Sequence, residues 1–376
     1  MKSNTPKVAL LYDWLTTQHG GAEQVLLALH TAFPDAPLFT SVYNERSASW
    51  AIVFKVRTSF LQKIPYLRNH HRVLAPLMPL AFEDLDLSAY DLILSVSSAE
   101  AKGVVTKPHQ LHICYLLTPP RYLYSHEAAY QEESSRNPLL SLISRPIFSY
   151  LKWWDQAAAL RPDLYVPISK LIRQRCLKYY HRPTLPPIYP PVKVSGGTAS
   201  PEAKKYYLVI SRLVSYKRID LAIKACAKLS RELVIVGTGP DEGRLRKLAR
   251  GSKTTFKGAV SDHEISRLYR QAHAVLMPGI EDFGITAVEA VAHGVPAILH
   301  ADSGAAELIE DGKQGIHLKQ QTVKELVTAI EKIEESSFSP RQLQQKLQKY
   351  ATTSFVQNMS QLVTTEWQNF QAERGE

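Results

Sequence analysis

The sequence predicts an α/β protein built from two doubly wound, Rossmann-like domains, and three observations carry that prediction. Short apolar runs alternate with helical stretches, the pattern of parallel sheets wrapped by helices. The alternation occurs twice, over residues 1–190 and again over 198–354. Between them His181–Gly197 holds five prolines and two glycines with little periodicity, which reads as a linker. At 376 residues and 45% hydrophobic content the chain can fill two cores, since a domain takes ~100–200 residues.

In the first domain, apolar runs place strands at Lys7–Asp13, Leu38–Tyr43, Lys55–Thr58, Asp91–Ser95, Leu111–Leu117 and Asp163–Ile168. A polar loop, Thr16–Gly21, precedes a helix from Ala22 to about Ala32. Gly20 and Gly21 offer bare amides there, suited to a phosphate or a sugar. Ser169 caps a basic helix, Lys170–Tyr180. The second domain repeats the scheme, with strands at Tyr207–Ser211, Glu232–Val236, Thr255–Lys257, Ala274–Met277, Ala297–Leu299 and Ile316–Leu318. Helices are expected at Ile219–Leu229, Pro240–Ala249, Asp262–Gln271, Ile285–His293 and, short, at Ala305–Ile309. A last helix, about Phe355–Ala372, carries Phe355, Met359, Leu362 and Val363, which need cover.

Composition narrows the function classes. Cys114, Cys176 and Cys226 are scattered without pairing or metal-ligand spacing, which points to a reducing compartment and no structural zinc. The first residues lack the apolar core of a signal peptide, and no apolar run approaches the ~20 residues of a membrane span. A cytoplasmic protein is therefore expected. The net charge is +10, with 20 Lys and Arg against 14 Asp and Glu in residues 1–190 and 25 against 21 in the remainder. An anionic partner follows: a phosphate ligand or an anionic membrane surface. No zinc-finger, RRM or KH pattern supports nucleic acid.

The stretch that organises the chain is Met277–Gly294, MPGIEDFGITAVEAVAHG. A strand runs into Pro278-Gly279, an acidic loop carries Glu281, and a helix begins near Ile285. The bare amides of Gly284–Thr286 at that helix start favour an anion, and Gly284 allows close approach to the main chain. Eight residues separate Glu281 from Glu289, on the order of 12 Å at helical rise, which is too far for a hydrolytic carboxylate pair. They suit the two ends of one long ligand with an anionic middle, and a nucleotide-sugar has that shape.

This stretch resembles the E-x7-E signature of retaining glycosyltransferases of family 4, which have the GT-B fold: two Rossmann-like domains facing across a cleft. It is most similar to bacterial mannosyltransferases of O-antigen and exopolysaccharide assembly. The resemblance implies that Glu281 holds the transferred sugar, that Phe283, Gly284, Ile285 and Thr286 line the donor, and that Glu289 binds the ribose. It also implies that the last helix crosses back onto the first domain, with residues 1–190 taking the acceptor and 198–354 the nucleotide-sugar.

Further motifs fit. Arg212 ends a strand and Lys217 is expected to open a helix in SRLVSYK, so both cations can meet a diphosphate leaving group at the carboxyl edge of the sheet. The pattern is similar to the family's diphosphate-binding motif; Arg218 beside it reads equally as surface. Gly237-Thr238-Gly239-Pro240 follows a strand, but Glu242 sits where a dinucleotide fingerprint needs glycine, so NAD binding is disfavoured. In the family this loop lines the nucleotide pocket, and Gly258 to Val260 matches the loop that accepts the base; a purely structural turn is the competing reading of both.

In the first domain, Gly20, Gly21 and His19 fall in the family's interdomain loop, and Arg121 matches an acceptor-side arginine. The histidine that relatives carry is replaced by Leu117; His112, His126 and His19 are the candidates to substitute, and each reads first as an ordinary surface or loop histidine. Asn137–Ala159, with Arg145, Lys152, Trp153 and Trp154, reads either as a membrane-surface segment or as a core helix; Lys170, Arg173, Arg175 and Lys178 are a second basic face. No Asp-x-Asp clamp occurs near the motifs, so neither a metal nor a cofactor beyond the nucleotide-sugar is expected. The expected activity is transfer of a hexose, mannose from GDP-mannose, to a glycan or lipid-linked hydroxyl. A nucleotide-sugar 2-epimerase and a lapsed binding subunit are the alternatives.

Overall fold

The computed structural model describes residues 5–16, 20–64, 75–125, 138–193, 204–339, 343–344 and 347–375. Its contacts divide the chain into two units, one of Met1–Pro191 with Thr353–Glu376 and one of Val192–Thr352.

The first unit holds β1 (Val8–Tyr12), α1 (Gly21–Ala32), β2 (Leu38–Thr40), β3 (Val56–Thr58), α2 (Met78–Glu83), β4 (Leu92–Ser97), β5 (Leu111–Leu116), α3 (Pro138–Ala158), β6 (Leu164–Pro167) and α4 (Lys170–Tyr180). The strands form one parallel sheet in the order β3-β2-β1-β4-β5-β6. Strands covered on both faces read as continuous apolar runs rather than alternating ones, and all six residues of β4 and of β5 are buried. The edge strand β3 is shorter and half exposed.

The second unit repeats the plan with β7 (Tyr206–Ile210), α5 (Ile219–Lys228), β8 (Leu233–Val236), α6 (Glu242–Leu248), β9 (Thr254–Gly258), α7 (Asp262–Gln271), β10 (Ala272–Met277), α8 (Ile285–Ala292), β11 (Ala297–His300), β12 (Gly315–Leu318) and α9 (Val323–Glu335). Its parallel sheet has the order β12-β11-β10-β7-β8-β9. In both sheets the chain adds three strands in one direction and then returns to the middle to add three in the other. The reversal lies between β1 and β4 in the first unit and between β7 and β10 in the second. At such a point neighbouring loops leave the carboxyl edge in opposite directions and open a crevice for a ligand.

The sequence expectations need local correction. The helix expected from Pro240 starts at Glu242, and the short helix expected at Ala305–Ile309 is a 3-10 turn, Gly304–Glu307. The last helix, α10, spans Thr352–Glu373 and buries Phe355, Met359, Val363 and Trp367. These recur every four residues, so Trp367 completes the stripe and Leu362 lies half-buried beside it. Phe355 meets the Tyr115 ring of β5 edge-on at 5.6 Å, so α10 covers the first unit's sheet. Burial of one such ring stabilises by roughly 1.5–3 kcal/mol.

Candidate functional site

In the second unit the reversal point between β7 and β10 gathers the predicted donor residues. After β7 the chain runs through Ser211–Val214 into a 3-10 turn, Ser215–Lys217, and α5 begins only at Ile219. Lys217 therefore sits in this turn and does not open the helix. Arg218, in the left-handed conformation at φ 53°, turns the chain into α5. Its guanidinium bonds Asp220 and Gln321, at 3.3 and 3.4 Å.

The Lys217 ammonium is ion-paired with the Glu281 carboxylate; their side chains are 17% and 10% exposed. Two glycines make the meeting possible. A Cβ on Gly279 would stand 2.7 Å from the Tyr216 carbonyl oxygen, and a Cβ on Gly304 would stand 2.1 Å from the Asp282 carbonyl oxygen. The Glu281 main chain is held from both sides: its N–H donates to Ser303 Oγ at 3.0 Å, and its carbonyl accepts from the Gly304 N–H at 2.9 Å. Ser303, which follows β11, was not singled out from sequence.

Gly284 caps α8 at φ 85°, and a Cβ there would press within 2.9 Å of the Ala305 Cβ. Only glycine adopts this conformation without strain. Gly284, Ile285 and Thr286 are half-buried at the helix start, where unpaired N–H groups favour negative charge. Phe283 is buried, and Thr286 Oγ1 bonds the Ile210 carbonyl at the end of β7 at 3.4 Å. The eight-residue step from Glu281 to Glu289 is thus part loop and part helix. Glu289, half-buried on α8, accepts from the hydroxyl of Tyr269 at 3.2 Å. Tyr269, wholly buried on α7, is a residue sequence reasoning missed: a tyrosine at an apolar helical position looks like ordinary core.

The glycine loop Gly237–Gly239 braces this site. A Cβ on Gly237 would stand 2.0 Å from the Ser211 carbonyl oxygen, and one on Gly239 would stand 2.2 Å from that of Leu213. Leu213 N–H bonds the Thr238 carbonyl at 3.0 Å, Asp241 N–H bonds the Leu213 carbonyl at 3.0 Å, and Gly237 N–H bonds the Gly258 carbonyl at 2.8 Å. These glycines let three backbone segments interlock around Arg212, whose side chain is exposed. Gly258, at φ 66°, has open space where a Cβ would be, and Val260 is half-buried just before the Ser261 cap of α7.

The first unit has its own reversal-point cluster. Asp13, at the carboxyl end of β1, accepts from the N–H groups of Ser98 and Ala101, both at 2.8 Å, and burial pushes its carboxyl up. Glu100 accepts from the Tyr122 hydroxyl at 2.9 Å and leaves Oε2 buried without a hydrogen bond. Burial, then the nearby Asp13 charge, push its carboxyl up to about 8. Lys102, fully buried, donates to the Ala99 carbonyl at 2.8 Å and pairs with Asp155, which also accepts from the Tyr124 hydroxyl. None of this network was anticipated from sequence.

Gly20 is the extended residue before α1, and Gly21 is the first residue of that helix. A Cβ on Gly20 would stand 2.7 Å from Glu23 Oε2, so a carboxylate already complements this helix end. Arg121 is half-buried in a turn after Pro120. His19 and His126 lie outside the described residues. His112 is a core residue: wholly buried, bonded to Ser95 Oγ at 2.9 Å, its imidazole pushed down by burial to about 3. It cannot replace the family histidine at Leu117. Trp154 is buried, its indole donating to Glu83 at 2.8 Å, whereas Trp153 is 67% exposed. The segment is thus core on one side and surface on the other. No helix among the described residues is long and apolar enough to cross a membrane.

Comparison with known proteins finds likenesses in sequence and in fold. Residues 194–354 match the family model described as "Glycosyl transferases group 1". A 105-residue stretch is 38% identical to a GDP-mannose-dependent alpha-(1-6)-phosphatidylinositol dimannoside mannosyltransferase of Mycobacterium tuberculosis, covering 26% of this chain and 28% of that one. Over 205 residues the chain is 28% identical to a putative colanic acid biosynthesis glycosyltransferase of Salmonella typhimurium, covering 47% and 48%. The matched stretches thus span 28% and 48% of these two relatives' lengths. Among solved structures, Anabaena HepE in complex with UDP and glucose aligns over 96% of this chain and 100% of its own, at TM-score 0.69 and 18% identity. Sucrose-phosphate synthase from Thermosynechococcus elongatus aligns over the same shares at TM-score 0.71 and 18% identity. With the two six-stranded parallel sheets, these likenesses identify the GT-B fold.

Proposed function

We propose that the protein is a retaining hexosyltransferase using a nucleotide-sugar donor, with GDP-mannose as the first candidate, a reading supported by the match of residues 194–354 to the group 1 glycosyl transferases. The acceptor is a hydroxyl of a glycan or lipid-linked saccharide in surface polysaccharide assembly. The observation that carries this reading is the Lys217–Glu281 pair at the reversal point between β7 and β10. A cation and a carboxylate in contact can serve two neighbouring groups of one ligand. In a nucleotide-sugar those neighbours are the β-phosphate and the hexose. Donor entry exchanges the pair, with Lys217 turning to the phosphate and Glu281 to hexose hydroxyls. Arg212 adds charge to the diphosphate, the Gly284–Thr286 amides receive its oxygens, and Glu289 takes the ribose.

In the reaction the bond from the anomeric carbon to the phosphate oxygen breaks, and the acceptor oxygen bonds to the same face of that carbon. The departing phosphate oxygen takes the acceptor proton, so no side-chain base is required. Fixed positive charge where negative charge develops is the largest aid a site of this kind supplies. Mannose is favoured because a relative 38% identical over 105 residues is named as GDP-mannose-dependent. We further propose that the first unit docks on anionic membrane through exposed Trp153 and neighbouring basic residues.

A thermal-shift panel of GDP-, UDP- and dTDP-sugars tests the reading. A true donor at 100 times its dissociation constant adds about 2.7 kcal/mol of stability. The GDP-mannose assignment is overturned if another sugar nucleotide gives the larger shift. The transferase reading is overturned if none of them shifts the protein.

A further inference from the structure

Glu289 is held by groups that the donor reading does not use. The Tyr269 hydroxyl lies 3.2 Å from Glu289 Oε2 and 3.4 Å from the Thr286 carbonyl oxygen. Its ring is stacked on His293, centroids 4.8 Å apart at 25°. His293 Nδ1 in turn lies 2.8 Å from the Glu289 carbonyl oxygen, and a carbonyl only accepts, so the ring carries its proton on Nδ1. The phenol sits on α7, the imidazole just after α8, and both are buried. Burial, then the Glu289 charge, hold the phenol well above its ordinary range, so it donates at any working pH. Burial also pushes the imidazole down, which keeps it neutral.

We propose that Tyr269 is a positioning residue that fixes the orientation of the Glu289 carboxylate and so makes the site selective for ribonucleoside over 2′-deoxyribonucleoside diphosphates. The proposal rests on the reading of Glu289 as the ribose partner. A ribose presents two cis hydroxyls to one carboxylate. Accepting from both requires the carboxylate plane to be set, and an orientation fixed in advance loses less freedom on binding. A 2′-deoxyribose presents one hydroxyl, which a rotating carboxylate satisfies almost as well. Fixing the plane therefore strengthens binding of the diol more than of the single hydroxyl. Tyr269→Phe keeps the ring, the stack on His293 and the buried volume, and removes only the hydroxyl.

The test is calorimetric titration of GDP against 2′-deoxy-GDP, and of UDP against 2′-deoxy-UDP, into the full chain, Tyr269→Phe, Glu289→Gln and the double variant. Tyr269→Phe is expected to weaken the ribonucleotide on the order of threefold to tenfold and the deoxynucleotide less than about twofold, the range of one hydrogen bond. In the Glu289→Gln background the same change should add no further loss, as coupled residues require. Equal weakening of both ligands, or an unchanged preference, overturns the role of Tyr269. Failure of the wider reading looks different: the unaltered protein then binds neither ribonucleotide, or Glu289→Gln leaves its preference for ribose intact. Thermal unfolding of each variant is recorded alongside, and a lower midpoint with unchanged preference assigns Tyr269 to packing alone.

Discussion

Neutralising Glu281 should tighten the binding of GDP while damaging transfer. The pairing with Lys217 makes this expectation, because each GDP molecule must take the ammonium away from a carboxylate that already holds it. An exposed pair contributes about 0–1 kcal/mol, and breaking a fully buried one costs about 3–5 kcal/mol. With side chains 17% and 10% exposed, this pair lies between those limits, and we take roughly 1–2 kcal/mol. Glu281→Gln removes that competition, so GDP affinity should rise about five- to thirtyfold. Hexose transfer should fall on the order of tenfold to a hundredfold, since the sugar hydroxyls lose a charged acceptor. Lys217→Met should do the opposite to GDP, leaving a partly buried carboxylate beside the phosphate. Calorimetric titration of GDP into both variants, with initial rates at saturating donor, gives each quantity. Weaker GDP binding by Glu281→Gln, or unchanged binding by Lys217→Met, would refute the exchange of partners.

Three further expectations follow from other parts of the molecule. Gly284→Ala forces a side chain into φ 85° and against Ala305, so it should cost about 1–3 kcal/mol and lower the unfolding midpoint by roughly 2–10 °C; an unaltered midpoint would mean the turn relaxes freely. Glu100 keeps its proton in the folded state up to about pH 8, whereas its unfolded carboxyl loses it near the ordinary value of 4.5. Its contribution is therefore complete below the unfolded value and is lost as pH rises through the folded one, at up to about 1.4 kcal/mol per pH unit. Glu100→Gln should flatten that slope in denaturant titrations between these limits, and a slope unchanged by the substitution would count against a protonated Glu100. Trp153→Ala should weaken binding to anionic vesicles without altering stability, whereas Trp154→Ala, which empties a buried site, should destabilise by about 3–5 kcal/mol; equal vesicle binding by Trp153→Ala would exclude that face as the contact.

The two-sheet architecture was legible because parallel strands covered on both faces read as apolar runs, as in Leu233–Val236 and in Ala297, Ile298 and Leu299 of β11. Glu281, Gly284 and Glu289 were legible as neighbours because a strand, a loop and a helix start follow one another there, and the fold brings that unit to the reversal point between β7 and β10. What stayed hidden depends on contacts between distant segments. Nothing about Arg218 announces a left-handed backbone, yet its φ of 53° keeps Lys217 out of the helix and beside Glu281. Gly237 and Gly239 read in sequence either as pocket lining or as a structural turn, and only the fold shows the Ser211 and Leu213 carbonyls filling the space they leave. Nothing in the sequence links Lys102 to Asp155, and only the fold buries them against each other. Tyr269 lies twenty positions before Glu289, and no periodicity links them.

The division of the chain also bears on how it is made. The second unit is one contiguous segment, Val192–Thr352, whereas the first needs Thr353–Glu376 from the far end of the chain. Until α10 leaves the ribosome, nothing of the stripe Phe355, Met359, Val363 and Trp367 is present to cover Tyr115 and its sheet. Domains ordinarily fold in the order they are synthesised, amino-terminal first. Here the first-made unit is expected to be completed last although its synthesis begins first, because its cover arrives only with the final residues of the chain.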